Sequence, residues 1–207
     1  MLTSRILSDK SMDPEKIDLY NNEKLNQCSK LLLGIDNILL LAKSEQSKLM
    51  IRKSTVNMHQ FIHKIVEKYK VSDFLRKSLK IETNFDAEEC VAYIDPDLME
   101  NVVLNLIENA IKYSNENVEI TISCAIQNKH LLIRVKDNGF GISKTDQKHI
   151  FQIFERGKKI PSNQIKGFGI GLYYVDKVVK AHQGKVDVIS EIAVGSEFII
   201  DIPNRFQ

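Results

Sequence analysis

The sequence has little of what would place it among disulfide-rich, metal-cluster, nucleic-acid-binding or membrane-spanning proteins. Its three cysteines, Cys28, Cys90 and Cys124, show no Cys-x-x-Cys spacing, so there is neither a zinc signature nor an evident disulfide framework, and a reducing setting fits best. A net charge of +2, from 29 Lys and Arg against 27 Asp and Glu, gives no electrostatic reason to expect a nucleic acid or an anionic membrane. The longest apolar run, Leu31–Ala42, contains polar residues and is shorter than the ~20 residues of a membrane span. No apolar signal-peptide core follows Met1.

Two segments with different hydrophobic periods divide the chain. From about residue 14 to 44, apolar residues recur at alternating spacings of three and four, which predicts one long coiled-coil-type helix that pairs with a partner helix. The alternative is an amphipathic helix packed on its own domain. A polar linker at 44–48 follows, and a second domain begins near Leu49. The heptad positions are Leu25, Cys28, Leu32, Ile35, Leu39 and Ala42.

The second domain combines helix and strand patterns without regular βαβ alternation, which predicts an α+β sandwich. Asp95 is a plausible N-cap, because Pro96 follows at the first helical position. Residues 118–126 and 131–136 alternate as strands around a polar turn and predict an antiparallel pair. The other predicted strands are 49–56, 80–86, 91–95, 185–192 and 196–202, and the predicted helices are 57–77, 96–113, 143–150 and 169–182.

A polar stripe lies along the helix that begins at Pro96. At ~100° per residue its members, Asn101, Asn105, Glu108, Asn109 and Lys112, fall within about one third of the circumference, opposite an apolar face of Met99, Val103, Leu106 and Ala110. A solvated surface stripe is the plain alternative. Three asparagines sacrifice helix propensity, however, and this favours a functional stripe.

This stripe offers neutral amide oxygens, which suit Mg²⁺ when phosphates supply the other ligands. We take Asn109 as the metal ligand. Lys112, about one turn further on, is placed to neutralise a phosphate, and Tyr113 to lie against a base.

Two glycine-rich turns follow. Each is by itself only a weak indication of a nucleotide site, and the alternative is an ordinary turn. In the first, Asp137–Ile142, the Asp137 carboxylate can accept a hydrogen bond from an adenine amino group, while Gly139 and Gly141 let the backbone approach the ligand. The second, Gly167–Leu172, opens a helix whose free N–H groups attract phosphate. It fits neither a Walker loop nor a Rossmann fingerprint.

A polar segment between the turns is typical of a mobile lid. It comprises Phe151–Arg156 and residues 157–166, with Lys158, Lys159 and Lys166 able to reach phosphates on closure. A simply solvated lysine-rich loop is the alternative.

Taken in order, four segments resemble the N box, first glycine box, F box and second glycine box of sensor histidine kinases. They are Asn105–Ser114, Asp137–Ile142, Phe151–Arg156 and Gly167–Leu172. The resemblance covers about Leu49 to Pro203, and the heptad helix resembles the second helix of the family's dimerisation hairpin. It implies residues 1–46 as part of that hairpin and 49–207 as a catalytic domain, a two-layer sandwich with a mixed, mainly antiparallel sheet (the Bergerat ATP-binding fold).

By this resemblance the protein is an ATP-dependent protein histidine kinase of two-component signalling, with ATP and Mg²⁺ as cofactors. The γ-phosphoryl group passes to a histidine on the dimerisation helix and then to an aspartate of a response regulator. Implied partners are that receiver domain and the helices of a second protomer, without nucleic acid or membrane contact, in the cytoplasmic part of a larger sensor. The implied ATP site comprises Asn105, Asn109 (the metal ligand), Lys112, Tyr113, Asp137, Gly139, Gly141, Ile142, Lys166, Gly167, Gly169, Ile170, Gly171 and Leu172, with Phe151, Phe154, Arg156, Lys158 and Lys159 in the lid.

The sequence departs from the family pattern at the acceptor. None of its five histidines, His59, His63, His130, His149 and His182, has the His-Glu/Asp-x-x-x-Pro context, so we expect a fragment that begins just after the acceptor and cannot phosphorylate itself. Related ATPases carry a glutamate base where this chain has Asn105, which favours phosphoryl transfer over hydrolysis. The alternatives are a serine kinase of the anti-sigma-factor type, a nucleotide-driven ATPase of the same superfamily and a non-catalytic scaffold.

Overall fold

The computed structural model describes residues 49–70, 78–86, 90–154 and 169–205, together with Lys24. Apart from Lys24, the predicted long helix at 14–44 lies outside this described part, as do the linker at 44–48 and the lid segment at 157–166. The same holds for Arg156, Lys158, Lys159, Lys166 and Gly167 of the predicted site.

Seven strands and three α-helices make up the described domain, with one short 3₁₀ helix. The strands are β1 (Ser54–Asn57), β2 (Ser78–Phe85), β3 (Val91–Ile94), β4 (Asn117–Gln127), β5 (His130–Asp137), β6 (Lys185–Glu191) and β7 (Gly195–Pro203). The helices are α1 (Met58–Lys70), α2 (Pro96–Lys112) and α3 (Gly171–Ala181), and the 3₁₀ helix is Asp146–Lys148.

The main sheet has five strands in the order β2-β4-β5-β7-β6, and β1 pairs with β3 in a separate two-stranded sheet. Only the β2–β4 pair of the main sheet is parallel. The helices cover one face of the sheet, and their apolar side chains join those of the strands in one core. The predicted α+β sandwich with a mixed, mainly antiparallel sheet is therefore confirmed.

Helix α2 forms as the sequence indicates. The side chain of Asp95 caps it by accepting the Leu98 N–H at 3.1 Å, and Pro96 occupies the first turn, where no N–H is needed. The predicted apolar face is buried, including Met99 and Leu106. Burial of this face against the sheet, at about 25 cal/mol per Å² of apolar surface, gives the helix most of its stability.

The β4–β5 hairpin confirms the predicted antiparallel pair. Asn128 and Lys129 both have positive φ, 51° and 63°, as the type I′ turn of a two-residue hairpin requires. Asn tolerates this backbone conformation better than most residues because its short polar side chain can bond locally.

Three predicted elements, at 49–56, 143–150 and 169–182, differ from the structure. The predicted strand at 49–56 is confined to Ser54–Asn57, because the Arg52 N–H donates to the Asp95 carboxylate at 2.8 Å instead of entering a strand ladder. The predicted helix at 143–150 is reduced to the 3₁₀ turn of Asp146–Lys148, which follows a local turn in which the Ser143 hydroxyl accepts the Asp146 N–H at 3.1 Å. Cys90 and Cys124 lie together in the core as buried free thiols, with 3.3 Å between their Sγ atoms, and no sequence prediction is changed by this contact.

Helix α3 starts two residues later than predicted, because Gly169 has a φ of +70° and is not helical. No helix in the described ranges is long and apolar enough to cross a membrane.

Candidate nucleotide-binding site

The polar stripe of α2 is graded in exposure. Asn105 is buried, whereas Asn109 and Lys112 are half-buried near the end of the helix. The Asn105 amide nitrogen donates to the Asn101 carbonyl at 2.8 Å, and the Lys112 ammonium lies 4.8 Å from the centre of the Tyr113 ring. The helix thus offers Asn109 and Lys112 outward and holds Asn105 beneath them.

The first glycine turn packs against the end of α2. The Phe140 N–H donates to the Tyr113 carbonyl at 2.9 Å. A Cβ on Gly139 would lie 2.6 Å from that same oxygen and 3.1 Å from the Ser114 hydroxyl, so no larger residue fits without movement. The sequence placed these motifs on separate elements, and the structure brings them into contact.

Asp137 ends strand β5 with its carboxylate held by the backbone. Its Oδ1 accepts the Gly139 N–H at 2.8 Å and the Ser196 N–H at 3.2 Å, whereas Oδ2 accepts no hydrogen bond from residues in the described ranges. Burial raises the pKa of this carboxyl group above its ordinary value, against the opposing effect of the two N–H donors. A desolvated carboxylate with one oriented oxygen still available is suited to an amino group of a bound base.

Gly141 fixes the far side of this turn. Its φ is +69°, and a Cβ would collide with the Glu191 carbonyl, so both the backbone conformation and the space demand glycine. The next residue, Ile142, packs on the core and donates its N–H to the Ser190 hydroxyl at 2.8 Å.

The start of α3 meets the buried member of the polar stripe. A Cβ on Gly171 would lie 2.6 Å from the Asn105 Oδ1, so the first turn of α3 rests directly on this side chain. Ile170 is buried and Leu172 packs on the core, which anchors the turn from below. An α-helix begins here with its N–H groups free of intrahelical partners, and such an end favours anions.

Two aromatic residues of the predicted lid fall inside the described ranges. Phe151 packs edge-on against Phe198, with 6.4 Å between ring centres. Phe154 is 67% exposed in a left-handed conformation and donates its N–H to the Gly169 carbonyl at 3.1 Å. This bond ties the predicted F box to the second glycine turn.

Four residues around the first glycine turn and Asp137 were not predicted from the sequence as part of the site. Ser190, Gly195 and Ser196 come from the β6–β7 hairpin, and Gln147 comes from the 3₁₀ helix; each hydrogen bonds or packs against the first glycine turn or Asp137. The two serines could have been predicted from the sequence, because Ser190 and Ser196 are polar residues at core-facing positions of apolar strands.

These elements form a cradle whose donor set fits a nucleotide. It has a carboxylate for a base, glycines where a Cβ would fill the space and a helix N-terminus for phosphates. In the described ranges no three His, Cys, Asp or Glu side chains cluster as a metal site. A bound cation would therefore depend on phosphate oxygens and on amide ligands such as Asn109.

Comparison with known proteins agrees with this geometry. Residues 94–205 match the model of the histidine kinase-, DNA gyrase B- and HSP90-like ATPase family. The chain belongs to this family, and its described domain has the fold of a histidine kinase catalytic domain.

The similar proteins include sensor histidine kinases. The sensor protein RprX of Bacteroides fragilis is 27% identical over 206 residues, which are 98% of this chain and 40% of RprX. Full-length ShkA in complex with AMPPNP matches with a TM-score of 0.73 and 19% identity, over 99% of this chain and 42% of ShkA. Histidine kinase ThkA in complex with the response regulator TrrA matches with a TM-score of 0.67 and 22% identity, over 98% of this chain and 56% of ThkA. The chain thus spans about two fifths of RprX.

Proposed function

We propose that this chain binds Mg·ATP in the cradle between α2 and the two glycine turns and donates the γ-phosphoryl group to a histidine outside this sequence. From there the group passes to an aspartate of a response regulator. Similarity to the sensor protein RprX and the fold shared with ShkA and ThkA support this proposal, since ShkA forms a complex with the nucleotide analogue AMPPNP and histidine kinase ThkA forms one with the response regulator TrrA.

The proposal rests mainly on Asn105, because its side chain is a buried amide that cannot act as a general base. Hydrolysis needs a general base that can take a proton from water, and an amide cannot serve as one at neutral pH. Asn105 is also buried, with its amide nitrogen bonded to the Asn101 carbonyl and its oxygen beneath Gly171. Transfer to another nucleophile requires mainly positioning and charge neutralisation, which the cradle can provide.

Each contacting group has one task in this proposal. Asp137 Oδ2 accepts the adenine amino group, and Tyr113 lies along the base. Lys112 neutralises phosphate charge and Asn109 ligates Mg²⁺. Asn109 and the phosphates would hold the metal, and Mg²⁺ would supply positive charge to offset the charge that develops on transfer. The turn at Gly169 and Ile170 and the first residues of α3, Gly171 and Leu172, bind the phosphate chain through their N–H groups.

The chain's own histidines have structural surroundings. His182 is fully buried with both ring nitrogens hydrogen bonded, and His130 pairs with Asp201. His59 stacks on Phe85 with 4.0 Å between ring centres. The remaining two, His63 and His149, are exposed and lie beside Glu67 and Gln152 of their own segments. The structural contacts of His182, His130 and His59 support an acceptor outside this sequence.

Two measurements test the proposal. Calorimetry should show Mg·ATP binding that Asn109→Ala weakens by about tenfold or more, through loss of a metal ligand, while the matched control Asn84→Ala on β2 leaves it unchanged. Incubation with γ-labelled ATP should leave the chain unlabelled and release no steady phosphate. Equal affinity in wild type and Asn109→Ala would refute the metal assignment, and steady hydrolysis would favour the ATPase alternative.

A further inference from the structure

A row of three polar side chains crosses the end of the main sheet beside the first glycine turn. Ser196 of β7 pairs directly with Asp137 of β5 on one side and with Ser190 of β6 on the other. Ser190 and Ser196 are both buried, at 5% and 7% exposed. Polar groups buried at the end of an apolar sheet face carry a desolvation cost unless they are fully hydrogen bonded.

The Ser190 hydroxyl is saturated by groups that shape the adenine side of the cradle. A hydroxyl can donate one hydrogen bond and accept two. Here it donates to the Gly195 carbonyl at 2.8 Å and accepts the Ile142 N–H at 2.8 Å, and the Ser196 hydroxyl at 2.9 Å supplies the remaining bond. Ser190 therefore joins the first glycine turn to the residues that flank Asp137.

Those flanking residues in turn hold the Asp137 carboxylate. The Ser196 N–H donates to Asp137 Oδ1 at 3.2 Å, and a Cβ on Gly195 would collide with the Asp137 carbonyl. A shift of the Gly195–Ser196 backbone would thus move or release one of the two N–H groups that orient the carboxylate.

Gln147 forms two further hydrogen bonds where the first glycine turn meets Ser190. Its amide nitrogen donates to the Ile142 carbonyl at 2.7 Å and to the Ser190 carbonyl at 2.9 Å. The backbone of Ile142 is thereby bonded through both its N–H and its carbonyl, and both bonds lead to Ser190 or Gln147. A second hairpin bond, from the Ala193 N–H to the Phe140 carbonyl at 2.8 Å, reinforces the contact.

We propose that Ser190, assisted by Gln147, is a positioning residue that sets the selectivity of the site for adenine over guanine. The proposal rests on the proposed ATP-binding function and deepens it. Selectivity follows because a carboxylate held at a fixed position accepts the amino group of adenine and repels the carbonyl oxygen that guanine presents there. A carboxylate free to turn away discriminates less. Ser190 itself touches no nucleotide.

The experiment compares Mg·ATP and Mg·GTP affinities by titration calorimetry in wild type, Ser190→Ala, Gln147→Ala and the control Ser123→Ala. Ser123 lies between two buried residues of β4 and therefore faces the opposite side of the sheet. Loss of one such buried hydrogen bond should weaken Mg·ATP binding by about five- to tenfold. Mg·GTP binding should change less, so the ATP/GTP affinity ratio falls in both variants and stays unchanged in the control.

The ratio separates positioning from a general loss of stability, which weakens both nucleotides alike. Folded variants that keep the wild-type ATP/GTP affinity ratio would overturn the proposal. If Ser190→Ala does not fold, Gln147→Ala decides alone, because Gln147 is only half-buried. Asp137→Asn, measured in parallel, tests the proposed function: if it keeps wild-type affinity, the adenine assignment itself fails. An intact ratio in Ser190→Ala beside a lost one in Asp137→Asn would remove only the positioning role.

Discussion

Replacement of Asp137 by Asn should abolish tight nucleotide binding without destabilising the fold. The two backbone N–H groups, from Gly139 and Ser196, both point at Oδ1. An asparagine must therefore place its amide oxygen there, which leaves its NH₂ group facing the adenine amino group. A charge-assisted hydrogen bond is replaced by two opposed donors.

The size of the effect follows from the kind of bond that is lost. Hydrogen bonds to charged groups contribute about 1.5–3 kcal/mol, which corresponds to a loss of about 10- to 150-fold in affinity. Stability should not fall with it. Burial raises the pKa of Asp137, which means that the folded state disfavours the carboxylate, and a neutral amide removes that cost while it keeps both backbone bonds.

The raised pKa also predicts a pH dependence with a definite sign. The folded state keeps the Asp137 proton at pH values where the unfolded chain has released it, so this group's contribution to stability declines as pH rises from its ordinary 3.8 through the raised pKa. Nucleotide affinity should depend on pH in the opposite direction, because only the ionised carboxylate accepts a hydrogen bond from the adenine amino group. Affinity should fall as pH drops towards that pKa.

Calorimetric Mg·ATP titrations of wild type and Asp137→Asn from about pH 8 to about pH 5, with urea unfolding of both proteins, check these points. The ratio of the two dissociation constants cancels the titration of the nucleotide itself. A variant that binds within twofold of wild type at neutral pH, or one whose weaker binding is matched by a loss of unfolding free energy, would contradict the proposed role of Asp137.

Two further predictions concern the contacts of α3. Burial lowers the pKa of His182, whose Nε2 accepts the Asp95 N–H, so stability should be lost as pH falls below about 6.5, where the unfolded chain takes up a proton that the folded state refuses. Urea unfolding between about pH 7.5 and about pH 5.5 should show this slope, and its persistence in His182→Gln would assign it to another group. Gly171→Ala should lower Mg·ATP affinity, because its Cβ would lie 2.6 Å from the Asn105 Oδ1 and must displace the start of α3. Unchanged binding would show that Asn105 moves aside instead.

Periodicity predicted most elements of this domain because its strands and helices are amphipathic in a regular way. The wrong helix at 143–150 shows the limit. Its local pattern is compatible with a helix, but Ser143 bonds to Asp146 in a local turn, and Gln147 bonds to Ser190 across the fold. The contact with Ser190 is one that no short window of sequence contains.

The motifs of the candidate site were visible in the sequence, but their mutual contacts were not. That Gly139 packs on Tyr113, and Gly171 on Asn105, depends on how α2 crosses the ends of the strands. A glycine indicates that another group can approach the backbone closely, but the sequence does not show which group it is. That group is determined by the tertiary packing.

The same strand pattern that builds the core also marks where the core gives way to the site. Along β5 the core-facing side chains are Leu131, Ile133 and Val135, and the next position of the series is Asp137. The same switch from apolar to polar occurs on β6 at Ser190 and on β7 at Ser196, and strand pairing places all three positions in one row. A single serine in an apolar series is ordinary, since it can bond locally. Three polar residues aligned across neighbouring strands are different, because they bond to one another as well as to the backbone around them: the two serine hydroxyls are in contact, and the Ser196 N–H donates to one oxygen of the Asp137 carboxylate. The adenine side of the proposed site is therefore the polar end of the hydrophobic sheet face, and its selectivity should depend on Ser190 and Ser196 as well as on Asp137.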